Sequence, residues 1–323
     1  MTPPPRLVRW LVLAPVTWVG AILAVLLSPL AFVLSVVLDL VDRAAWRNTR
    51  LLGLGVMFCA LEAVALPVAF GVWITKPFRT AESNEAVYQS LLCWWLGVIT
   101  ATLRRCLHFT FDVRFPPPDD GRLIVVSRHA GPGDALFLMN ELANRQGRSI
   151  RGIGKGKLLW DPFFDHVAAA GGYLFMGRRD TAETVRTHAA VPPGGAYITF
   201  PEGGNFTRRR HADRVAELRA AGQAELADAA ERLDHLLLPR VGGVHAAMMA
   251  APDATVVFVA HVGYEDLDSL AGIWRAIPEG RHVILEGRPA PRPERWEDRT
   301  VLAEWLLARW ADMDRWIEKH STG

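Results

Sequence analysis

Cysteine is scarce in this sequence: 323 residues contain three, Cys59, Cys93 and Cys106. Their spacing offers neither the close pairs of a zinc site nor the framework of a disulfide-stapled secreted domain. They fit a chain whose globular part faces a reducing compartment. The charge excess is equally small, +2 in total, without the strong basic bias of a nucleic-acid binder. No Ser or Cys stands in a G-x-S-x-G elbow, so an α/β-hydrolase type of nucleophile is not indicated. Internal repeats and long low-complexity tracts are missing. His211, His245 and His261 lack paired spacing with Cys or acidic ligands, so loop or core roles are expected for them and no metal.

What the chain does have is an uneven share of apolar residues. Half of all residues are hydrophobic, too many for an ordinary soluble protein and too few for a polytopic transporter, and the excess crowds the first quarter. From Trp10 to Leu38 no side chain is charged, and from Leu51 to Thr75 only Glu62 is. Each run is long enough to cross a bilayer, which takes about 20 apolar residues. The first run exceeds the h-region of a signal peptide and no small-residue cleavage site follows it. Pro15 and Pro29 also permit a bent hairpin within one leaflet, so spanning and re-entrant forms both fit. Arg6 and Arg9 precede the first run, and Lys76 and Arg79 follow the second. Two crossings would put these flanks on one side, which the positive-inside tendency makes cytoplasmic.

The length exceeds one compact core, so a catalytic domain with an appendage is expected. The expected divisions are a membrane segment over 1–80, an interfacial helix and linker over 81–118, a catalytic domain over 119–290 and a C-terminal amphipathic helix over 291–323. Residues 84–111 read as one apolar or interfacial helix carrying Trp94 and Trp95 and closing on Arg104 and Arg105. Pro116, Pro117 and Pro118 then break regular structure. Beyond them, β-branched runs predict strands at Leu123–Ser127, Arg151–Gly154, Tyr173–Met176, Ala196–Phe200, Thr255–His261 and His282–Glu286. Helical patterns lie at Ala135–Gln146, Thr181–Ala190 and His211–Leu233. This alternation predicts an α/β sheet covered by helices. Trp305, Trp310 and Trp316, near the C-terminus, are expected to pack in the core.

A segment able to carry chemistry follows the first predicted strand: SRHAGPGD, residues 127–134. On a straight helix the step from His129 to Asp134 would rotate the two side chains apart by roughly 140°. Gly131, Pro132 and Gly133 favour a turn instead, which can return the carboxylate to the imidazole, and Asp134 suits the start of the helix that follows. A histidine can take a proton from a hydroxyl near neutral pH, and a carboxylate on its second nitrogen fixes the tautomer. The H-x4-D spacing alone also fits a helix cap beside an ordinary loop histidine.

Three further segments follow in order: GGYLFMGRRD at 171–180, FPEGGNFTRRRH at 200–211 and LLPRVGG at 237–243. With H-x4-D they resemble the four sequence blocks of the glycerolipid acyltransferases, the family of 1-acylglycerol-3-phosphate and other lysophospholipid acyltransferases. Gly172 to Arg178 match the second block, Phe200 to Gly203 the third, and Leu238 with Pro239 the fourth; Lys155–Leu158 and Pro162 agree with the pattern. The resemblance implies an α/β fold with a mixed sheet and an N-terminal membrane-embedded helical segment. It also implies acyl transfer from acyl-CoA or acyl-carrier protein to a lipid hydroxyl, with no further cofactor.

In that reading His129 and Asp134 are catalytic. Arg178 is the candidate for the acceptor phosphate, because a guanidinium can bond two phosphate oxygens in parallel. Glu202, Gly203 and Lys155 complete the substrate-binding set. The implied partners are a lipid acceptor, the acyl donor and the bilayer, with no nucleic acid, and the catalytic domain would face the cytoplasm. Gly204 and Asn205 depart from the third block, where Thr is usual and Arg frequent. That departure leaves room for another lipid alcohol or a glycolipid as acceptor. A lipid-binding protein that keeps the fold without turnover is the competing reading outside enzymology, and intact His129, Asp134, Arg178 and Glu202 argue against it.

Overall fold

The computed structural model describes residues 3–43, 45–116, 119–168, 170–176, 182–265, 267, 270–277 and 280–321. In chain order the main helices and strands are α1 (Arg6–Val41), α2 (Arg47–Ile74), α3 (Ala81–Cys106), β1 (Phe109–Arg114), β2 (Leu123–Ser127), α4 (Pro132–Asn140), β3 (Ile150–Lys155) and β4 (Tyr173–Met176). They continue with α5 (Ala182–Ala189), β5 (Ala196–Thr199), α6 (Arg208–Ala220), α7 (Ala224–Glu231), α8 (Val241–Ala250), β6 (Thr255–Val262), α9 (Leu270–Ala276), β7 (Arg281–Ala290) and α10 (Arg299–Ser321). Contacts divide the chain into two compact units. One comprises 1–110, 136–180 and 269–281; the other comprises 111–135, 181–268 and 282–323.

The first unit is dominated by α1, α2 and α3, each long and apolar enough to cross a membrane. The sequence reading counted two such stretches and took the third as interfacial. The turn between α1 and α2 is held by a carboxylate: buried Asp39 accepts the N–H groups of Asn48 and Thr49 at 3.0 and 2.8 Å. These are first-turn donors of α2 that have no partner within their own helix. Glu62 in α2 is buried and accepts the indole N–H of Trp95 in α3 at 3.1 Å. Thr80 caps α3 by accepting from Ser83, and Arg104 and Arg105 close it, where cations complement the helix dipole. The helix therefore stops at Cys106, and Phe109–Arg114 is a strand; the single helix expected over 84–111 is too long by this margin. Parallel strands β3 and β4 belong to this unit, with Gly152 opposite Tyr173. The Gln89 side chain in α3 donates to the carbonyls of Ile150 and Gly171.

In the second unit β2 runs parallel to both β5 and β6, and β6 pairs antiparallel with β7, beside which β1 lies. This is the mixed sheet that the family resemblance implied. All five residues of β2 are buried, as expected of a central parallel strand covered on both faces. Each fully buried aliphatic side chain there contributes on the order of 1.5–3 kcal/mol relative to exposure. Trp310 of α10 is wholly buried and donates its indole N–H to the Leu237 carbonyl at 3.0 Å. Asp314 of the same helix accepts the N–H groups of Asp234 and His235, so α10 fixes the segment that leads into Leu238 and Pro239. The helix expected over His211–Leu233 is two, α6 and α7. Gly222 sits at φ +71° between them, a left-handed conformation that ends a helix readily with glycine.

Candidate active site

Parallel pairing explains why residues distant in sequence meet in the second unit. Val126 of β2 lies opposite Thr199 of β5, and Ser127 opposite Val259 of β6. The three strands therefore release their next residues at one edge of the sheet, where ligands of parallel α/β sheets bind. β2 releases Arg128 and His129, β5 releases Phe200 to Gly203, and β6 reaches that edge through His261.

His129 and Asp134 are brought together, but not by a turn over Gly131 to Gly133: Pro132 and Gly133 already open α4, and the chain bends only at Gly131. Imidazole Nδ1 lies 3.1 Å from both carboxylate oxygens of Asp134. Asp134 is buried in the first turn of α4. It also accepts the N–H groups of Ala130 and Gly131 at 2.6 and 3.1 Å. Burial pushes its carboxyl up, but the bond to His129, the nearby His261 ring and the Gly131 N–H outweigh this and hold it below the usual range. With Nδ1 on Asp134, Nε2 is the ring nitrogen left for a substrate, and the His129 side chain keeps 20% of its surface accessible.

Phe200, Pro201, Glu202 and Gly203 form a tight turn in which the Gly203 N–H donates to the Phe200 carbonyl at 3.1 Å. Proline in second place and glycine in fourth suit such a turn. Gly203 has φ +71°, and a Cβ there would lie 3.3 Å from the Arg240 guanidinium. The turn delivers Glu202 into the interior, where one oxygen accepts the His129 N–H at 2.7 Å and the other accepts the Leu237 N–H at 3.0 Å. Arg240 N–H returns to the Pro201 carbonyl at 3.0 Å. The third and fourth sequence blocks are thus laced together against the first. Burial raises the Glu202 carboxyl to about 8 despite those two amides. The sequence reading gave Glu202 to the substrate; both its oxygens are occupied by backbone of this same loop cluster.

Sequence reasoning missed the groups beneath the pair. His261, wholly buried, has Nε2 3.6 Å from Asp134 Oδ2 and 3.3 Å from the Arg128 carbonyl. Arg128, also buried, donates to the His261 carbonyl at 2.5 Å and to Glu265 at 3.1 Å. Burial first, and then the Arg128 charge, push His261 down to about 4, so it is neutral near neutral pH. Of the loop and core roles expected for this histidine, the structure gives it the core one. Its proximity to Asp134 had no signal in spacing, because it arises from strand register. Of the remaining predicted residues, Arg178 lies outside the described residues. Lys155 is the last residue of β3 in the first unit, and its side chain is likewise outside them.

Residues 104–262 match the family model Acyltransferase. This span is an acyltransferase domain. The fold of the chain is similar to that of the 1-acyl-sn-glycerophosphate acyltransferase PlsC from Thermotoga maritima. The TM-score is 0.55 at 16% identity, over 86% of this chain and 98% of that chain. No curated protein matches the sequence. The acyltransferase match spans His129, Asp134, Glu202 and His261, and of the cluster just described leaves out Glu265.

Proposed function

We propose that this acyltransferase moves a fatty acyl group from acyl-CoA or acyl-carrier protein to the free hydroxyl of lysophosphatidic acid or a related lysophospholipid. The observation that carries the reading is the His129–Asp134 pair, with one imidazole nitrogen on a buried carboxylate and the other free among the described residues. Nε2 takes the acceptor's hydroxyl proton as its oxygen attacks the thioester carbonyl. The C–S bond then breaks, and the imidazolium returns its proton to the departing thiolate, leaving an ester and a free thiol. Asp134 holds the tautomer and stabilises the imidazolium while it exists. No acyl-enzyme is required. The likeness to PlsC supports a phosphorylated glycerolipid acceptor, and Arg178, ending the second block, is assigned its phosphate.

The three long apolar helices support attachment to a bilayer, where lysolipid and product both reside. With α1 and α2 as the two crossings, Arg6 and Arg9 in the first turns of α1 and Lys76 and Arg79 beyond α2 favour a cytoplasmic catalytic unit. The test compares wild type with His129→Ala in detergent, following thiol release from palmitoyl-CoA with lysophosphatidic acid. Release by wild type and its loss in the variant support the reading; equal rates refute it. A panel of lysolipids extends the test, and a preference for unphosphorylated acceptors removes Arg178 from its role.

A further inference from the structure

The first unit contains a cavity of about 470 Å³, a volume typical of small-ligand sites. None of its described lining residues is among those around His129. It opens between the first turns of α1, the end of α2 and β4. Its walls are aromatic. Trp10 packs edge-on against Trp73 at 5.3 Å and stacks on His166 at 4.2 Å, and Tyr173 and Phe175 line it from alternate positions of β4.

The charges of this cavity do not cancel. Asp165 is the sole acid among its described lining residues. Its two oxygens accept Arg9 Nε and Nη2 at 2.9 and 2.8 Å, and one also accepts the Trp10 indole N–H at 2.9 Å. Arg9 and Asp165 thereby neutralise each other in a buried, bidentate pair. Burial lowers His166 below the ordinary histidine value, and its Nδ1 lies 2.9 Å from the Pro162 carbonyl. What remains is the charge of Arg6 and of Lys76, both exposed. Arg6 lies over the Trp10 ring at 4.3 Å, and Lys76 follows directly on α2. Two cations at the rim of an aromatic hollow fit an anion that carries an apolar body. The rim also lies at the ends of the two most apolar helices, at the level where headgroups would meet a bilayer-inserted α1 and α2.

We infer that this cavity binds one phosphate-bearing glycerolipid, its phosphate held by Arg6 and Lys76 and its apolar part against Trp10 and Trp73. This rests on the membrane attachment proposed above and not on turnover. The site would keep a lipid of the same chemical class as the proposed acceptor and product on the unit that enters the bilayer.

The test measures lipid retention by native mass spectrometry on the full chain in neutral detergent, with His129→Ala as background so that nothing is consumed. Phosphatidic acid, diacylglycerol and inorganic phosphate are the probes. One phosphatidic acid is expected to stay bound, with diacylglycerol not retained and excess inorganic phosphate competing poorly. Arg6→Gln with Lys76→Gln should weaken retention about tenfold or more, since two charge-assisted contacts are lost. Arg6→Lys with Lys76→Arg, which preserves charge, should retain the lipid and so separates charge from misfolding. Equal retention by the Gln pair, equal retention of diacylglycerol, or complete displacement by inorganic phosphate overturns the assignment. Thiol release is read separately in the His129 background and in wild type, so failure of this site and failure of the acyl-transfer reading are distinguishable.

Discussion

Glu202 accepts the backbone N–H of His129 at 2.7 Å, and this bond orients the loop that carries the imidazole. The second oxygen holds Leu237 at 3.0 Å, so one buried carboxyl ties together three of the four sequence blocks. Its pKa is raised by burial from 4.5 to about 8. Between those values the folded chain keeps a proton that the unfolded chain has released. Stability from this group is therefore fully present below about pH 4.5 and declines as pH rises towards 8, by at most about 1.4 kcal/mol per pH unit. Glu202→Gln, which has no proton to lose, should flatten that slope in denaturant titrations at pH 5 to 8. Because an amide can accept through only one oxygen, it should also cost about 1–3 kcal/mol for the amide left unpaired. A slope identical to wild type would show that Glu202 titrates normally.

Asp134→Asn should abolish most activity without unfolding the chain. The amide keeps the shape of the carboxylate but can turn its own N–H towards Nδ1, which selects the wrong tautomer and leaves the imidazolium without a counter-charge. We expect kcat for thiol release to fall about a thousandfold or more, with KM within a few-fold, by analogy with other His–Asp pairs. A loss confined to KM would mean that Asp134 shapes binding instead.

His261 tests whether the support under that pair matters. It lies 3.6 Å from Asp134 Oδ2 and is neutral near neutral pH, so it steers the carboxylate as a dipole and not as a charge. His261→Leu removes the Nε2 donor that holds the Arg128 carbonyl at 3.3 Å beside Asp134, and should lower kcat about tenfold with little change in KM. His261→Gln, whose amide can reach the same oxygen, should recover most of it. Failure of Gln to rescue, with both variants equally destabilised to heat, would reduce His261 to a packing residue.

How much of this could be read from the chain alone depends on the range of the interactions. Strand β2 was legible to its ends because four aliphatic residues stand between Arg122 and the Ser-Arg-His step. The His129–Asp134 meeting was legible because it is local: the bend at Gly131 and the helix start at Pro132 return Asp134, in the first turn of α4, to the imidazole five residues before it. Strand β1 was hidden, since Phe109-Thr110-Phe111 continues the apolar character of α3 with only a left-handed His108 between them. The break between α6 and α7 lay in the single Gly222. His261 beneath Asp134, and Glu202 on the His129 amide, follow from the register of three parallel strands, which no local pattern encodes.

Glu62 is the remaining ionisable side chain whose place sequence noted without explaining. It interrupts the apolar run of α2, and 2% of its surface is exposed. Its Oε1 accepts the Trp95 indole N–H at 3.1 Å, while the Trp95 ring stacks on Phe163 at 5.1 Å. An indole N–H buried among apolar helices finds no water if its partner is removed, so the cost of losing Glu62 falls on Trp95. Glu62→Leu should destabilise the protein by about 1–3 kcal/mol, the penalty for one unpaired buried donor. Glu62→Gln, which keeps an acceptor oxygen in reach, should stay close to wild type. Thermal unfolding in detergent compares the two. Should Leu prove as stable as Gln, the hydrogen bond to Trp95 contributes nothing net, and the acid would have to be explained by something other than the packing of α2 on α3.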